Sequence, residues 1–511
     1  MKLFWSILFF LILLGVPCSA FGSASSANIP LNSTIYQDLD KLSGLGLVDS
    51  GLQGFRPYTR LEAARLVTEA RQNAAGEELL PVVQQLLQRL ENELHDQLVE
   101  LHTLEGGAPD SYFKPLRSLD LEYIFQNGEP SIYPKTNARQ FSLDYNDYGI
   151  DHDQKSSGRL SFATELRLDK FFLLEARPLL EIKGGEQVDP QLLEGRVALG
   201  LGPVEVSFGR QALWWGEGRH GSLVLTNNAK PLDMLRFTNP SPIQLPWIFK
   251  YLGPFRFDVF WSRLEKERVV SEPYFAGLRL DVKPLPWFEL GASRTIIFGG
   301  KGRPNVGWSD FLTILGGKNL NGKVDTSDSV AAIDFRLKFP FLYRAELYGE
   351  VGGEDEAGHW LANTAWLGGL FLPRIEPTGR LSLRFEYADL SHVDNNSPVW
   401  YRHGIYKSGY TYDQNILGHH VGGAGKDCFT ELRILFPDDL TLHLSLDLET
   451  RGYDQPVREE HRQPEIGITW QLRSNIALTA AYAYDQVENF GFSSNNDRNF
   501  YSARVGTTTT W

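Results

Sequence analysis

Apolar and polar residues alternate with a period of two through one short segment after another across residues 116–511. Leu119, Leu121, Tyr123 and Phe125 alternate with Asp120, Glu122 and Ile124. Phe255, Phe257, Val259 and Trp261 oppose Arg256, Asp258 and Ser262, and Leu278, Leu280 and Val282 oppose Arg279, Asp281 and Lys283. Over 440–448, Thr441, His443, Ser445 and Asp447 share one face. In the final segment Tyr501, Ala503, Val505, Thr507, Thr509 and Trp511 fall on one side, with Ser502, Arg504, Gly506 and Thr508 on the other. One face suits lipid; the other, rich in Arg, Glu and Asp, suits a wet lumen. Backbone polar groups in hydrocarbon need internal partners, so only helices and closed barrels cross a membrane, and alternating strands are the barrel's signature. At about 22 residues per strand and connection, this region predicts roughly 18 antiparallel strands, the last pairing with the first. Polar connections at 299–329, 352–362, 391–426 and 452–464 predict long loops, either open or folded inward to close the lumen.

Upstream the period is helical. Tyr36, Leu39, Leu42, Leu45 and Leu47 sit near helical spacing, with Gly44 and Gly46 as stops. Thr59 and Glu62 form a capping-box pattern at the start of a second helix. A third, over 80–104, carries Val82, Leu86, Leu87, Leu90, Leu94, Leu98 and Leu101 on one face and charges on the other. These helices are too amphipathic and too short to span, so residues 28–106 predict a small helical bundle in water. Residues 1–24 predict a secretion leader: Lys2, an apolar run over 3–16, then small residues. Gly15-Val16-Pro17 is a poor lipobox for Cys18.

Composition narrows the picture. Hydrophobic residues make up 42% and mean hydropathy is negative, which argues against a helical membrane protein. Aromatics are frequent (31 Phe, 20 Tyr, 12 Trp), as the interfacial girdles of a barrel require. The net charge of −13 excludes nucleic acid as a natural partner. Cys428 is the one cysteine beyond the leader, so no internal disulfide is expected.

One segment breaks the alternation: "FGRQALWWGEGRHGSLVLTNNAKPLDMLRF", residues 208–237. Adjacent tryptophans, nearby glycines and an Asn-Asn pair predict a fixed, irregular structure. Indole faces beside hydrogen-bonding groups suit a sugar, whose C–H face stacks while its hydroxyls take directional bonds. Candidate ligand-binding residues are therefore Arg210, Trp214, Trp215, Arg219, His220, Asn227 and Asn228, joined by Trp400, Tyr401, Tyr410 and Tyr412 from a tyrosine-rich loop taken to be exposed. The competing reading is packing: indoles against the wall, arginines paired with lumenal carboxylates, asparagines in a turn. No catalytic residue is assigned. His220 and Ser222 lack a locally placed carboxylate, and Glu386, Asp389 and Glu431 are explained by a wet wall. His403, His419 and His420 read as loop residues, with no metal or cofactor expected.

The same block, with "GPFRFDVFWSRLE", "AGLRLDVKPLPWFELGASR", "DLDKLSGLGLV" and "RPYTRLEAARLV", resembles the Wzi family of capsule assembly proteins. The C-terminal aromatic also looks like the sorting signal of bacterial outer-membrane proteins. The resemblance implies a Gram-negative outer-membrane barrel, its periplasmic end plugged by the helical bundle, acting as a lectin for capsular polysaccharide and not as an enzyme. "GLGLVDSGLQGFRPYTRLEAARLV" resembles a single S-layer homology repeat, which implies cell-wall polymer as a further partner. Capsular polysaccharide and outer-membrane lipid are thus the expected partners of a monomer. The alternatives are a sugar- or ion-conducting porin and a tether between membrane and wall.

Overall fold

The computed structural model describes residues 25–511 apart from 77, 137, 153–154, 185–186, 305, 308–326, 355–363, 395–396 and 399. The expected leader and the middles of two expected loops lie outside the described residues.

The helical pattern becomes four helices: α1 (Thr34–Gly44), α2 (Arg60–Ala74), α3 (Pro81–Glu93) and α4 (His95–Glu100). Ser33 caps α1 by accepting from the Ile35 N–H, and Thr59 caps α2 by accepting from Glu62 N–H. Glu62 itself forks onto Arg65 at 2.7 and 2.8 Å. Proline at the first position opens α3. The single helix expected over 80–104 is broken at Leu94, whose φ of −110° and ψ of 20° turn the chain. The break keeps Leu94 and Leu98 in the bundle core with Tyr36, Leu39, Leu66 and Leu86.

Among the described residues, eighteen long antiparallel strands form a closed barrel, from Tyr112–Asn127 to Arg498–Thr510. The last strand seals against the first, from Ser118 opposite Thr510 to Asn127 opposite Tyr501. Lipid-facing positions carry Leu121, Leu180, Val259, Leu280, Leu370, Leu446 and Ile468, all exposed. One end has short turns, for example at 202–203, 286–287 and 474–475. It is ringed by exposed Phe171, Trp247, Tyr251, Trp287, Phe341, Tyr343 and Trp511, an aromatic girdle. The other end carries the long connections.

The inner face departs from the wet lumen that alternation predicts. Arg236, Arg256, Arg279, Arg336 and Arg451 are each under 2% exposed. A barrel this wide encloses more space than its own side chains fill, and here chain from both ends fills it. The helical bundle sits at the short-turn end: Lys41 Nζ donates to Pro373 O, Gln85 donates to Phe436 O at 3.0 Å, and Leu435 joins the bundle core. From the other end, the described residues of connections 128–155, 212–231 and 390–424 fold inward and share an apolar cluster containing Tyr133, Trp215, Leu223, Trp400, Tyr401, Tyr410 and Leu417.

Leu446, in the middle of its strand and 42% exposed, tests which face meets lipid. Leu446→Arg is expected to cost about 2–4 kcal/mol in urea-dependent folding into lipid vesicles, and Leu446→Phe close to nothing.

Candidate functional site

Segment 212–231 has no long strand of its own, so most of its buried backbone groups need partners from elsewhere. Charged wall residues supply them. The Glu350 carboxylate accepts from Gly218 N–H at 3.0 Å, Leu223 N–H at 2.9 Å and the Ser222 hydroxyl at 3.1 Å. Glu386 accepts from the N–H groups of Arg219 and His220 at 2.8 and 2.9 Å, and from Tyr348 OH at 2.6 Å. Arg336 forks between Glu217 and Glu346 at 2.7 and 2.6 Å. Gly216 has φ +139°, and a Cβ there would overlap the Glu350 carboxylate, so only glycine brings the loop this close.

The loop meets the helical end inside the lumen. Phe55 and Arg56 pair antiparallel with Trp215 and Trp214, and Gly216 N–H donates to Gly54 O at 2.9 Å. Arg219 holds Asp40 of α1 with two bonds of 2.7 and 3.0 Å and donates to Gln53 O at 3.1 Å. Arg56 and Arg384 approach the same carboxylate at 3.4 and 3.6 Å. Burial alone would raise the Asp40 pKa; the guanidinium groups of Arg219, Arg56 and Arg384 outweigh it and hold the carboxyl well below its ordinary range.

The sequence-predicted residues mostly lie inside this filling. Trp214 and Trp215 are buried; their indole N–H groups donate to Gly218 O at 3.0 Å and Asp258 at 3.3 Å. Asn227 and Asn228 are buried and tie the loop to Asn146 O at 2.8 Å and Ile416 O at 3.1 Å. Trp400, Tyr401 and Tyr410, expected on exposed loops, are at most 3% exposed. Tyr401 and Tyr410 stack at 5.4 Å, and their hydroxyls donate to Leu223 O and Val224 O at 2.7 and 2.9 Å. The burial follows from the loop's composition: these rings pack against Trp215 and Leu223 instead of facing water.

Arg210 and Tyr412 differ. Arg210 shares its strand face with lipid-facing Phe208 and pairs bidentately with Asp233 at 2.9 and 2.8 Å. Tyr412 is partly exposed and feels the charges of Asp233, Arg210 and Asp413. Lys230 pairs with Asp413, Arg139 pairs with Asp151 at 2.8 Å, and Arg139 N–H donates to Gln414 O at 3.0 Å. These groups form a polar, partly exposed patch where the three inward loops surface.

Neither triad nor carboxylate pair is assembled from the candidates considered. Ser222 is bonded to Glu350 and Trp215 O, whereas His220 points to Asp447 at 3.0 Å and Asp427 at 3.4 Å. His420 converges on the same carboxylates. Sequence reasoning missed this cluster, along with Asp40, Gln53 and Glu350; alternation marks Asp447 as lumenal, but nothing local names its partners.

A family model described as "Capsule assembly protein Wzi" matches residues 130–501. An Escherichia coli structure, described as Wzi, an outer membrane protein involved in group 1 capsule assembly that is a carbohydrate-binding β-barrel, superposes with a TM-score of 0.71 at 20% identity. It covers 95% of this chain and 100% of that one. A Klebsiella pneumoniae relative, an uncharacterized 55.8 kDa protein in the cps region, is 31% identical over 170 residues, which span 32% of this chain and 33% of that protein.

Removing one partner of a buried ion pair typically costs about 3–5 kcal/mol. Arg219→Ala is therefore expected to loosen the helical bundle, read as faster proteolysis within 25–106 while the β circular dichroism persists. Because the folded Asp40 pKa is depressed, its contribution is complete above the ordinary aspartate value of about 4. The Asp40 share of that protection, read as the difference between wild type and Asp40→Asn, should be flat between neutral pH and about pH 5 and fall only in stronger acid.

Proposed function

Because the chain belongs to the Wzi family of capsule assembly proteins, we propose that it is an outer-membrane barrel that binds capsular or related surface polysaccharide at its long-loop face and helps hold it on the cell. The long loops face outward in such barrels and the short turns face the periplasm, which supports a periplasmic side for the helical bundle at the short-turn end. The observation that carries this reading is the blocked lumen: the Phe55–Arg56 pairing with Trp214–Trp215 joins helical bundle and inward loop in mid-barrel. A lumen blocked there leaves the outer surface as the place to meet a polymer.

The mechanism is multivalent. Tyr412, Lys230, Asp413, Arg139 and Asp151 offer one stacking face and charge-assisted hydrogen bonds at the loop surface. Each contact is weak, but a repeating chain engages several at once and gains avidity without any deep pocket. The buried Trp214, Trp215, Trp400, Tyr401 and Tyr410 hold that surface in place. This role is one of binding and not of catalysis. The mid-barrel block speaks against a porin. The stretch resembling an S-layer homology repeat, 44–67, has most of its side chains buried among bundle and wall, which leaves little of it for a wall polymer.

Deleting the gene in its own host is expected to move polysaccharide from the cell fraction into the medium at unchanged total. Unchanged retention would overturn the reading, and steady conductance in planar bilayers would favour a porin. Within the binding surface, Tyr412→Ala combined with Lys230→Ala is expected to weaken polysaccharide binding several-fold at unchanged fold.

A further inference from the structure

Four side chains that the polysaccharide reading does not use converge inside the barrel. His220 comes from loop 212–231 and His420 from loop 390–424; Asp427 and Asp447 come from the inner faces of the neighbouring strands Gly425–Leu435 and Leu440–Arg451. All four are buried, and their ligand atoms lie within 4.8 Å of one another. His220 Nε2 is 3.0 Å from Asp447 Oδ2 and 3.4 Å from Asp427 Oδ2. His420 Nε2 is 3.0 Å from Asp427 Oδ2 and 4.0 Å from Asp447 Oδ2. Donors at the corners of a tetrahedron with metal–ligand bonds near 2.0–2.1 Å stand about 3.3 Å apart; the His–Asp distances straddle that value, and the widest separations in the cluster close by a side-chain adjustment when an ion enters.

Two further observations point to a ligand. His420 Nε2 and Asp427 Oδ2 are buried and stand 3.0 Å apart outside hydrogen-bond geometry. His420 is 0% exposed and Asp427 2%. Buried polar atoms without partners are costly, and a shared cation satisfies several at once. The surroundings also have the form of a closed site. Phe429 stacks on His220 at 3.8 Å and Tyr145 on His420 at 4.5 Å, fixing both rings. Glu449 puts Oε1 3.1 Å from His420 Nε2 and gives Oε2 to Arg451, so it borders the four-residue cluster from the His420 side.

We propose that His220, His420, Asp427 and Asp447 form a structural divalent-metal site, best suited to Zn²⁺, that staples the two inward loops to the barrel wall. The donor set decides the class of ion. Two imidazole nitrogens and two carboxylate oxygens in a buried four-point cluster match tetrahedral zinc, whereas Ca²⁺ takes six to eight oxygens and Mg²⁺ keeps several waters. Two carboxylates also balance a doubly charged cation when both imidazoles are neutral. Tyr145, the ring that covers both histidines, also borders a cavity of about 860 Å³ between helices and wall, so this ring alone separates that space from the imidazoles it packs on. The proposal stands apart from the polysaccharide reading, since it concerns how the loops are held.

The test uses the full chain in detergent, stripped with chelator, loaded with ZnCl₂ and dialysed, with bound metal counted by elemental mass spectrometry. About one Zn²⁺ per chain is expected, together with a rise of several degrees in apparent Tm. His420→Gln and Asp447→Asn should each reduce uptake at least tenfold, and His95→Gln, on exposed α4, should leave it unchanged. No retained zinc in the wild type, or equal zinc in all variants, overturns the proposal. Should a variant fail to fold, Co²⁺ in the wild-type protein decides: intense visible absorption marks a four-coordinate site, and the pale spectrum of octahedral Co²⁺ rejects it.

Discussion

Asp40 is buried with three guanidinium groups around it, and the arrangement of the lumen follows from that. A carboxylate taken out of water is costly unless paired and hydrogen-bonded. Arg219 from the inward loop grips it with two bonds, and Arg56 and Arg384 stand behind. One of these partners belongs to the helical region, one to the loop and one to the wall. None of the three can move away alone without leaving a charge buried and unmatched, so the three layers of the structure are locked into one body.

The same logic explains why so charged an inner wall can be dry. A buried irregular loop has backbone donors with no strand or helix to satisfy them. Glu350 and Glu386 meet two such donors each, and wall cations do the converse: Lys283 donates to Gly51 O at 2.8 Å and Arg256 to Pro57 O at 3.2 Å. The wall's polar face works as a set of fixed hydrogen-bond partners for incoming chain. Arg256 adds its flat face over Phe55 at 3.6 Å, so even an aromatic ring on the plug is held by a charged wall residue.

Much of the fold was readable in the sequence because it rests on local periodicity. Alternation over 255–261 and 441–447 marked the two faces of the wall, and the pattern over 501–511 marked a strand fit for sealing. Thr59 marked a helix start by a short-range bond. The helix break at Leu94 was not readable, since leucine at helical spacing carries no stop signal; the packing of Leu94 and Leu98 in the bundle decides it. The loop aromatics were misjudged for a similar reason. Tyr401 and Tyr410 sit in a polar stretch, and only contact with Leu223 and Val224, 178 and 186 residues away, puts them inside. Asp427 and Asp447 could be placed on the inner face by parity, but their meeting with His220 depends on how far the loop descends, which no local pattern encodes.

The pairing of Ser118 with Thr510 has a consequence for how the molecule comes into being. It joins residues almost four hundred positions apart, so it is among the contacts whose chain-closure entropy is largest. Until it forms, the sheet has two raw edges, and raw edges in hydrocarbon are untenable. Integrity therefore cannot accumulate strand by strand as it does in a solenoid, where each repeat leans only on its neighbours. It arrives in one event, when the last segment docks on the first. A chain stalled or clipped short of its final strand would be an open ribbon, visible to aggregation and to proteases, and the cell would be rid of it before it ever became a membrane protein.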